Sequence, residues 1–408
     1  MGCYFFCLGR ILPLSLLEMQ SLLSIGDSNL IGSTVWVRAD REVNCEEYIW
    51  ASGGTIKCGK CVNELAYDGE LSNLIAGVAS ILKNEIRGSG VFAIHCDQLP
   101  DGLEMHSLLM KVKKALKEEG ISSRFVDSED NSGIVSSAIS YHEIVSKEGV
   151  ELVLSFDGDK IFVGRLVAVQ NPDEWSRYDF GRPKRRIKDG MLPPKLARIM
   201  INIGLSKVRT ENATPHLLDP FCGSGTVLSE AARIGLCVSG VDISEGAVES
   251  AQMNLKWLSD QMSKSGKPYS IHPFFNYFFT RSIDKKSMMV GDATHIDKMF
   301  ASESVDLIVT EPFMGKLVCE SGDLVTLKNR MRGLDKLYLG FLKSAHKVLK
   351  TNGVIVFTEP FFRYQSGVVY SGIVDRLESI GYTLVSSSVE YQRENTFVGR
   401  RVLVMGKE

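Results

Sequence analysis

The residues best equipped for chemistry lie in the second half of the chain. The first set is Asp219-Pro220-Phe221-Cys222-Gly223-Ser224-Gly225-Thr226, which reads as a strand end, a glycine-rich turn and the start of an apolar helix over residues 226–234. Glycines at that place let the backbone turn tightly and approach a ligand closely. The helix start adds free N–H groups and the positive end of a helix dipole, which suit an anionic group. An amino-acid carboxylate or a pyrophosphate would fit that geometry. The dinucleotide fingerprint needs a third glycine, however, and Leu228 stands in its place. A second strand, residues 238–241, ends at Asp242-Ile243, and a third, Met288–Val290, ends at Gly291-Asp292-Ala293. A carboxylate at the end of the second strand can hold both hydroxyls of a ribose, and Asp292 is placed to accept from an adenine amino group. The candidate cofactor contacts are therefore Asp219, Cys222, Gly223, Ser224, Gly225, Thr226, Asp242, Ile243, Asp292 and Ala293. A fourth strand, Val305–Thr310, runs into Glu311-Pro312-Phe313-Met314-Gly315.

These segments need a frame that brings their ends to one edge. From about residue 214 to residue 408 strand and helix patterns alternate, with strands at 216–218, 238–241, 288–290, 305–310 and 354–358 and two late ones at about 383–391 and 401–405. That is the pattern of a doubly wound, mostly parallel sheet. Residues 1–64 read as a separate α/β module, with strands at 4–8 and 34–38 around a helix at 14–23. Residues 65–171 are again mixed α/β. Helices are expected at 71–86 and 102–119, the second with Leu109, Val112 and Leu116 on one face, and strands at 91–95, 152–155 and 161–169, with Gly158 turning a hairpin. Residues 172–213 form a basic segment around Arg182-Pro183-Lys184-Arg185-Arg186-Ile187-Lys188 and end in a helix at 194–206 that opens on proline. Residues 259–286 are too long for an ordinary connection and hold an aromatic cluster at Phe274, Phe275, Tyr277, Phe278 and Phe279.

Composition narrows the classes. With 408 residues, two or three domains are expected. Apolar content of 44% and charged content of 24% are those of a globular protein. A net charge of -2 carries no global nucleic-acid signal, so any basic surface must be local. The nine cysteines are scattered, several in strand-like runs (Cys96, Cys222, Cys237), as free thiols in a reducing, cytoplasmic compartment would be. The apolar start, residues 1–17, is interrupted by Arg10 and Pro13 and lacks a basic lead, unlike a secretory signal. No run of ~18 apolar residues suggests a membrane span. Cys58-Gly59-Lys60-Cys61 has zinc-ligand spacing, but one pair does not make a tetrahedral site, and no metal site is expected. His216, His272 and His295 stand in no triad-like context and are expected to be structural.

An acidic-Pro-x-Cys-Gly-Ser-Gly-Thr run is typical of methyltransferases acting on amino groups of nucleic acids. The chain resembles the THUMP-domain RNA methyltransferases, whose members make N2-methylated guanosines in tRNA. The resemblance is carried by residues 219–231, by Gly240-Val241-Asp242 with Ala247-Val248 and Asn254-Leu255, and by residues 191–198 with Asn202. It is weaker in the first half, at the helix 14–23 and at Gly53-Gly54-Thr55-Ile56-Lys57. It implies a C-terminal Rossmann-like class I methyltransferase domain over residues 214–408, a THUMP-like RNA-binding domain over 65–171, S-adenosyl-L-methionine as cofactor and tRNA or another structured RNA as partner. Eukaryotic relatives act with a small activating subunit, so a partner of that kind enters the expectations too.

The resemblance also gives the loop a role. An exocyclic amino group is a poor nucleophile because its lone pair is delocalised, so its N–H groups must be held by acceptors positioned beforehand. Glu311 and the carbonyl of Pro312 would be those acceptors, and Phe313 would contact the extruded base. The family pattern is Asp-Pro-Pro-Tyr-Gly. Glu311 departs from it by one methylene, Phe313 replaces the second proline and Met314 replaces the tyrosine. Upstream, Tyr178 precedes Asp179 where the family has arginine. The run 182–188 would either grip RNA phosphates or salt-bridge to its own domain, and the aromatic cluster is expected to be packing rather than a lid. Two rival functions fit the same residues: a DNA amino-methyltransferase, and a non-catalytic RNA-binding protein with a degenerate methyltransferase site.

Overall fold

The computed structural model describes residues 2–23, 28–87, 90–128, 130, 132–185, 191–209, 214–264, 287–315, 324–364, 367–392 and 396–408. The chain forms two units, Met1–Ser176 and Arg177–Glu408. No helix among the described residues is long and apolar enough to cross a membrane.

In the first unit, β1 (Gly2–Leu8), β2 (Ser28–Ile31), β3 (Thr34–Ala39), β4 (Thr55–Ala66), β5 (Val91–Cys96), β6 (Arg124–Val126), β7 (Val150–Asp157) and β8 (Lys160–Val169) build one sheet in the order β2-β3-β1-β4-β8-β7-β5-β6. It is antiparallel except where β5 meets β6 and β7. Strand β4 pairs with both β1 and β8, so segments 1–64 and 65–171 share this sheet. Helices α1 (Leu12–Leu22), α2 (Cys45–Ala51), α3 (Leu71–Glu85), α4 (Met105–Glu118) and the single turn α5 (Ser137–Ile139) pack around it. The β7–β8 hairpin turns at Gly158, where φ is +61°, a value glycine adopts without Cβ strain. The apolar stripe Leu109, Val112 and Leu116 of α4 is fully buried with Phe92, Leu152 and Leu154. Cys58 and Cys61, three residues apart on β4, point to opposite sheet faces. The Cys58 thiol meets Cys45 and the Cys61 thiol meets Cys3, and no group of potential metal ligands forms among the described residues.

Helix α6 (Pro172–Phe180) leads into the second unit. It continues with α7 (Pro194–Leu205), β9 (His216–Asp219), α8 (Thr226–Arg233), β10 (Cys237–Asp242), α9 (Glu245–Lys264), β11 (Met288–Val290), β12 (Val305–Thr310), α10 (Leu324–Val348), β13 (Leu349–Tyr364), β14 (Gly367–Val369), β15 (Tyr382–Leu384), β16 (Val389–Tyr391) and β17 (Val398–Lys407). The sheet order is β11-β10-β9-β12-β13-β17-β15, with β14 on β13 and β16 on β17. Strands β9 to β13 are mutually parallel, and β17 runs antiparallel between β13 and β15. The chain leaves β9 toward β10 and β11, then returns to lay β12 and β13 on the other side. The crevice at the carboxyl ends of β9 and β12 is therefore the switch point where open α/β sheets bind ligands. Behind it Leu218, Val241, Ile308, Tyr338, Phe341 and Phe357 form the core.

Three sequence expectations shift in this unit. The strand expected at 354–358 extends through Leu349–Tyr364. The one expected at about 383–391 is two short strands. Both pair with β17, but residues 385–388 lie opposite only Leu403 and Val404, too many to continue the ladder. Within the long stretch 259–286, residues 259–264 complete α9. Its aromatic cluster, with His272, and residues 186–188 of the basic run lie outside the described residues.

Candidate active site

Everything at the switch point follows from where strands end. Asp219 closes β9 and is buried. Its Oδ1 accepts from the Thr310 hydroxyl at 2.7 Å and from the Phe221 amide at 3.2 Å, which ties the ends of β9 and β12 together. Burial, reinforced by the charges of Asp242 and Glu311, lifts this carboxyl to about 7. The chain then turns through Cys222, whose amide donates to the Val241 carbonyl at 2.9 Å. Gly223 and Gly225 follow with φ of +52° and +81°. A side chain on Gly223 would meet nothing within 4 Å, so this residue faces open space. A Cβ on Gly225 would stand 3.1 Å from the Cβ of Ala251, because α9 crosses here against the start of α8.

Asp242 at the end of β10 accepts from the Gly223 amide through Oδ2 and from the Ser244 amide through Oδ1, both at 2.9 Å. Each carboxylate oxygen has two lone pairs, so capacity remains for further donors. Ile243 beside it is 77% exposed. Asp292 caps the short 3-10 helix after β11 (Ala293–Lys298), with Oδ1 accepting from the Thr294 amide and hydroxyl at 2.8 Å each. The Thr294 amide, first among several partners, holds its carboxyl below the usual range. Ala293 is buried. Asp219, Cys222 to Thr226, Asp242, Ile243, Asp292 and Ala293 thus line up along the edge formed by β9, β10 and β11.

This edge fits an adenosine-bearing group with an amino-acid end. It offers an open cradle at Gly223, the helix start at Thr226, carboxylates at 242 and 292, and an exposed apolar side chain between them. Two residues whose structural role the sequence did not reveal hold the cradle in place. Asn254, buried on α9, donates through Nδ2 to the carbonyls of Ser224 and Lys184, both at 2.8 Å, and accepts from the Lys184 amide at 3.0 Å. Arg182 is buried and donates to the Thr226 hydroxyl at 2.9 Å. Arg185 lies 3.8 Å from Asp179 and over the Phe180 ring. Arg182 and Arg185 are therefore built into their own domain, whereas the Lys184 side chain is exposed. Beneath α8, Glu230 is buried between Arg198 at 2.9 Å and Arg233 at 3.0 Å.

The loop after β12 stands on the adjacent strand. The Glu311 carboxylate accepts from Nε of Arg400 on β17, and both side chains are largely covered. Pro312 is buried and Phe313 is 57% exposed. The Phe313 carbonyl accepts from the hydroxyl of Tyr338 on α10 at 2.9 Å. Gly315 ends the described loop with φ of +85°. Met314 is half-buried, leaving Phe313 as the loop's presented side chain.

Residues 182–258 match the model of the UPF0020 family, the RMKL-like methyltransferase domain. The chain is 27% identical over 275 residues to the tRNA (guanine(10)-N2)-dimethyltransferase of Pyrococcus abyssi, covering 64% of this chain and 66% of that protein. It is 31% identical over 206 residues to the enzyme of the same name from Methanothermobacter thermautotrophicus, covering 50% and 48%. The chain thus spans less than two thirds of the length of these relatives. Among solved structures, TrmN from Thermus thermophilus is similar over 100% of both chains, with a TM-score of 0.56 and 16% identity, a likeness of fold. The second unit has the Rossmann-like class I methyltransferase fold, and the stretch that carries its glycine turn matches the RMKL-like methyltransferase domain.

Proposed function

We propose that this protein is an S-adenosyl-L-methionine-dependent methyltransferase acting on the exocyclic amino group of a base in RNA, guanosine N2 in tRNA. One observation carries the reading. Thr310 bonds Asp219, so the loop bearing Glu311 and Phe313 stands directly beside the glycine turn that would hold the cofactor. The names of the similar archaeal proteins support the choice of base and RNA. Bound S-adenosyl-L-methionine supplies an electrophilic methyl group.

The chain's residues do the rest. Gly223, Ser224, Gly225 and Thr226 take the amino-acid end at the helix start. Asp242 accepts from the ribose hydroxyls, Ile243 packs on the adenine face and Asp292 accepts from its amino group. Cys222 and Ala293 shape the walls. Glu311 and the Pro312 carbonyl accept from the target amino group, turning its lone pair toward the methyl donor. Phe313 stacks on the extruded base, worth ~1–3 kcal/mol. Arg400 holds the Glu311 carboxylate ready. The first unit, with its THUMP-like segment 65–171, would hold the RNA by shape and backbone. The compartment is the cytoplasm, and a small activating subunit is a candidate partner. The coverage of Glu311 by Arg400 favours a second reading, an RNA-binding protein that no longer transfers methyl groups. Mass spectrometry of nucleosides from unmodified tRNA incubated with protein and cofactor separates the two: N2-methylguanosine supports transfer, and its absence with cofactor and RNA bound supports the second reading.

A further inference from the structure

Helix α10 packs its first turns against the far end of β13. Its Tyr338 meets the loop at Phe313, and residues 324–337 precede that contact, about 20 Å of helix at 1.5 Å per residue. The inward side of this segment is apolar, with Leu327, Met331 and Leu334 buried alongside Phe362 and Ile373. Its outward side is basic, with Lys328, Arg332 and Lys336 exposed, and Arg330 is exposed on the opposite edge. Lys328, Arg332 and Lys336 follow one another at four-residue spacing, about 6 Å apart along the axis on one face. That is close to the repeat of phosphates along a nucleic-acid strand.

The acid on the described residues of α10 is Asp335, which is half-buried and accepts from the Gly372 amide at 3.1 Å. That bond brings the turn bearing the exposed Arg376 against the helix. Arg332, Lys336 and Arg376, with Asp335, Gly333 and Leu339, then line a groove of about 440 Å³ in which three cations outnumber one carboxylate. Four exposed cations, Lys328, Arg332, Lys336 and Arg376, on this side of the helix in a chain of net charge -2 form a local field that favours a polyanion. Their position beside the loop selects the polyanion. Tyr338 joins this helix to Phe313, so a strand that presents a base to Phe313 can run along the helix.

We propose that the first three turns of α10, with Arg376, form a phosphate-binding surface for the RNA strand that delivers the target base to the 311–315 loop. This rests on the RNA methyltransferase reading above. The surface positions the strand and carries no sequence information, since phosphate contacts set register rather than base choice.

The test compares the full chain with its Lys328→Ala/Arg332→Ala/Lys336→Ala/Arg376→Ala variant in binding to an unmodified tRNA transcript between 50 and 200 mM salt, on the order of the range where counterion release is read. The expected result is ~10–100-fold weaker binding and a salt slope reduced by about 3, with cofactor binding by calorimetry and the thermal midpoint unchanged. Lys298→Ala/Lys343→Ala, away from the loop, should keep the wild-type slope. A quadruple variant with wild-type affinity and slope, or an equal loss per charge in the distant pair, overturns the surface. Wild-type protein that binds no RNA overturns the functional reading itself, and the surface with it.

Discussion

Glu311 and Arg400 are 89 residues apart in sequence and meet as an ion pair at the end of the parallel sheet. Arg400 sits on β17 opposite Pro360 of β13, so the antiparallel strand supplies the cation that the loop's carboxylate leans on. A carboxylate one methylene longer than the family's aspartate has more rotamers to lose, and the guanidinium removes that freedom. On this account Arg400 is a positioning residue. Arg400→Ala should lower kcat for methyl transfer ~10–100-fold, leaving the affinity for cofactor unchanged. Arg400→Lys should recover only part of the loss, because an ammonium lacks the planar fork. Equal kcat in all three proteins, by single-turnover assay, would show that Glu311 needs no such support.

Asp219 gives a pH dependence. Its carboxyl is raised to about 7 in the folded chain, mainly by burial, against about 4 when unfolded. Between those values the folded state binds the proton and the unfolded state does not. Stability therefore falls as pH rises through that window, and the cost is fully present above it. Its size is on the order of 3–4 kcal/mol. Asp219→Asn keeps an acceptor for Thr310 and Phe221 and removes the charge. Urea unfolding at about pH 5.5, inside that window, and about pH 8, above it, should show the wild type losing stability relative to the variant at the higher pH. Parallel changes in the two proteins would refute the assignment.

The two turn glycines should differ in cost. Both have positive φ, but only Gly225 also has a neighbour, Ala251, at 3.1 Å from its absent Cβ. Gly223→Ala should cost about 1 kcal/mol of stability. Gly225→Ala should cost more, ~2–4 kcal/mol, and should weaken cofactor binding by displacing α8 from α9. Denaturant midpoints and calorimetric titration give both numbers, and a reversed order would contradict the close packing.

Glu230 pairs with two buried guanidinium groups, Arg198 and Arg233. Its removal takes away the carboxylate that both share under the helix that starts at the cofactor turn. Glu230→Ala should destabilise the unit by ~3–5 kcal/mol, read as a shift in urea midpoint. A cost below about 1 kcal/mol would place the pair among exposed ion pairs.

The parts legible in the sequence were those fixed by local periodicity and turn chemistry. Strands β11 and β12 appear with the expected bounds, and Asp219, the two glycines, Asp242 and Asp292 fall where strand ends put them. What pairs with them was not legible. Thr310 reaches Asp219 across 91 residues and Arg400 reaches Glu311 across 89, contacts that depend on strand order and register. Arg182 read as part of a basic stretch, yet it is buried against Thr226, because a charge run by itself does not say which face meets solvent. The Cys58–Cys61 spacing has the opposite lesson: strand alternation sends the two thiols to different faces, a geometry visible only once β4 is known to be extended.

The most direct measurement of the central claim is nucleoside mass spectrometry on unmodified tRNA transcripts incubated with S-adenosyl-L-methionine and either wild-type protein or Glu311→Ala. The expected result is N2-methylguanosine from the wild type and a loss of at least ~100-fold in the variant, with cofactor binding intact in both. Equal yields from the two proteins, or no methylated guanosine from a wild type that binds both cofactor and tRNA, would contradict it.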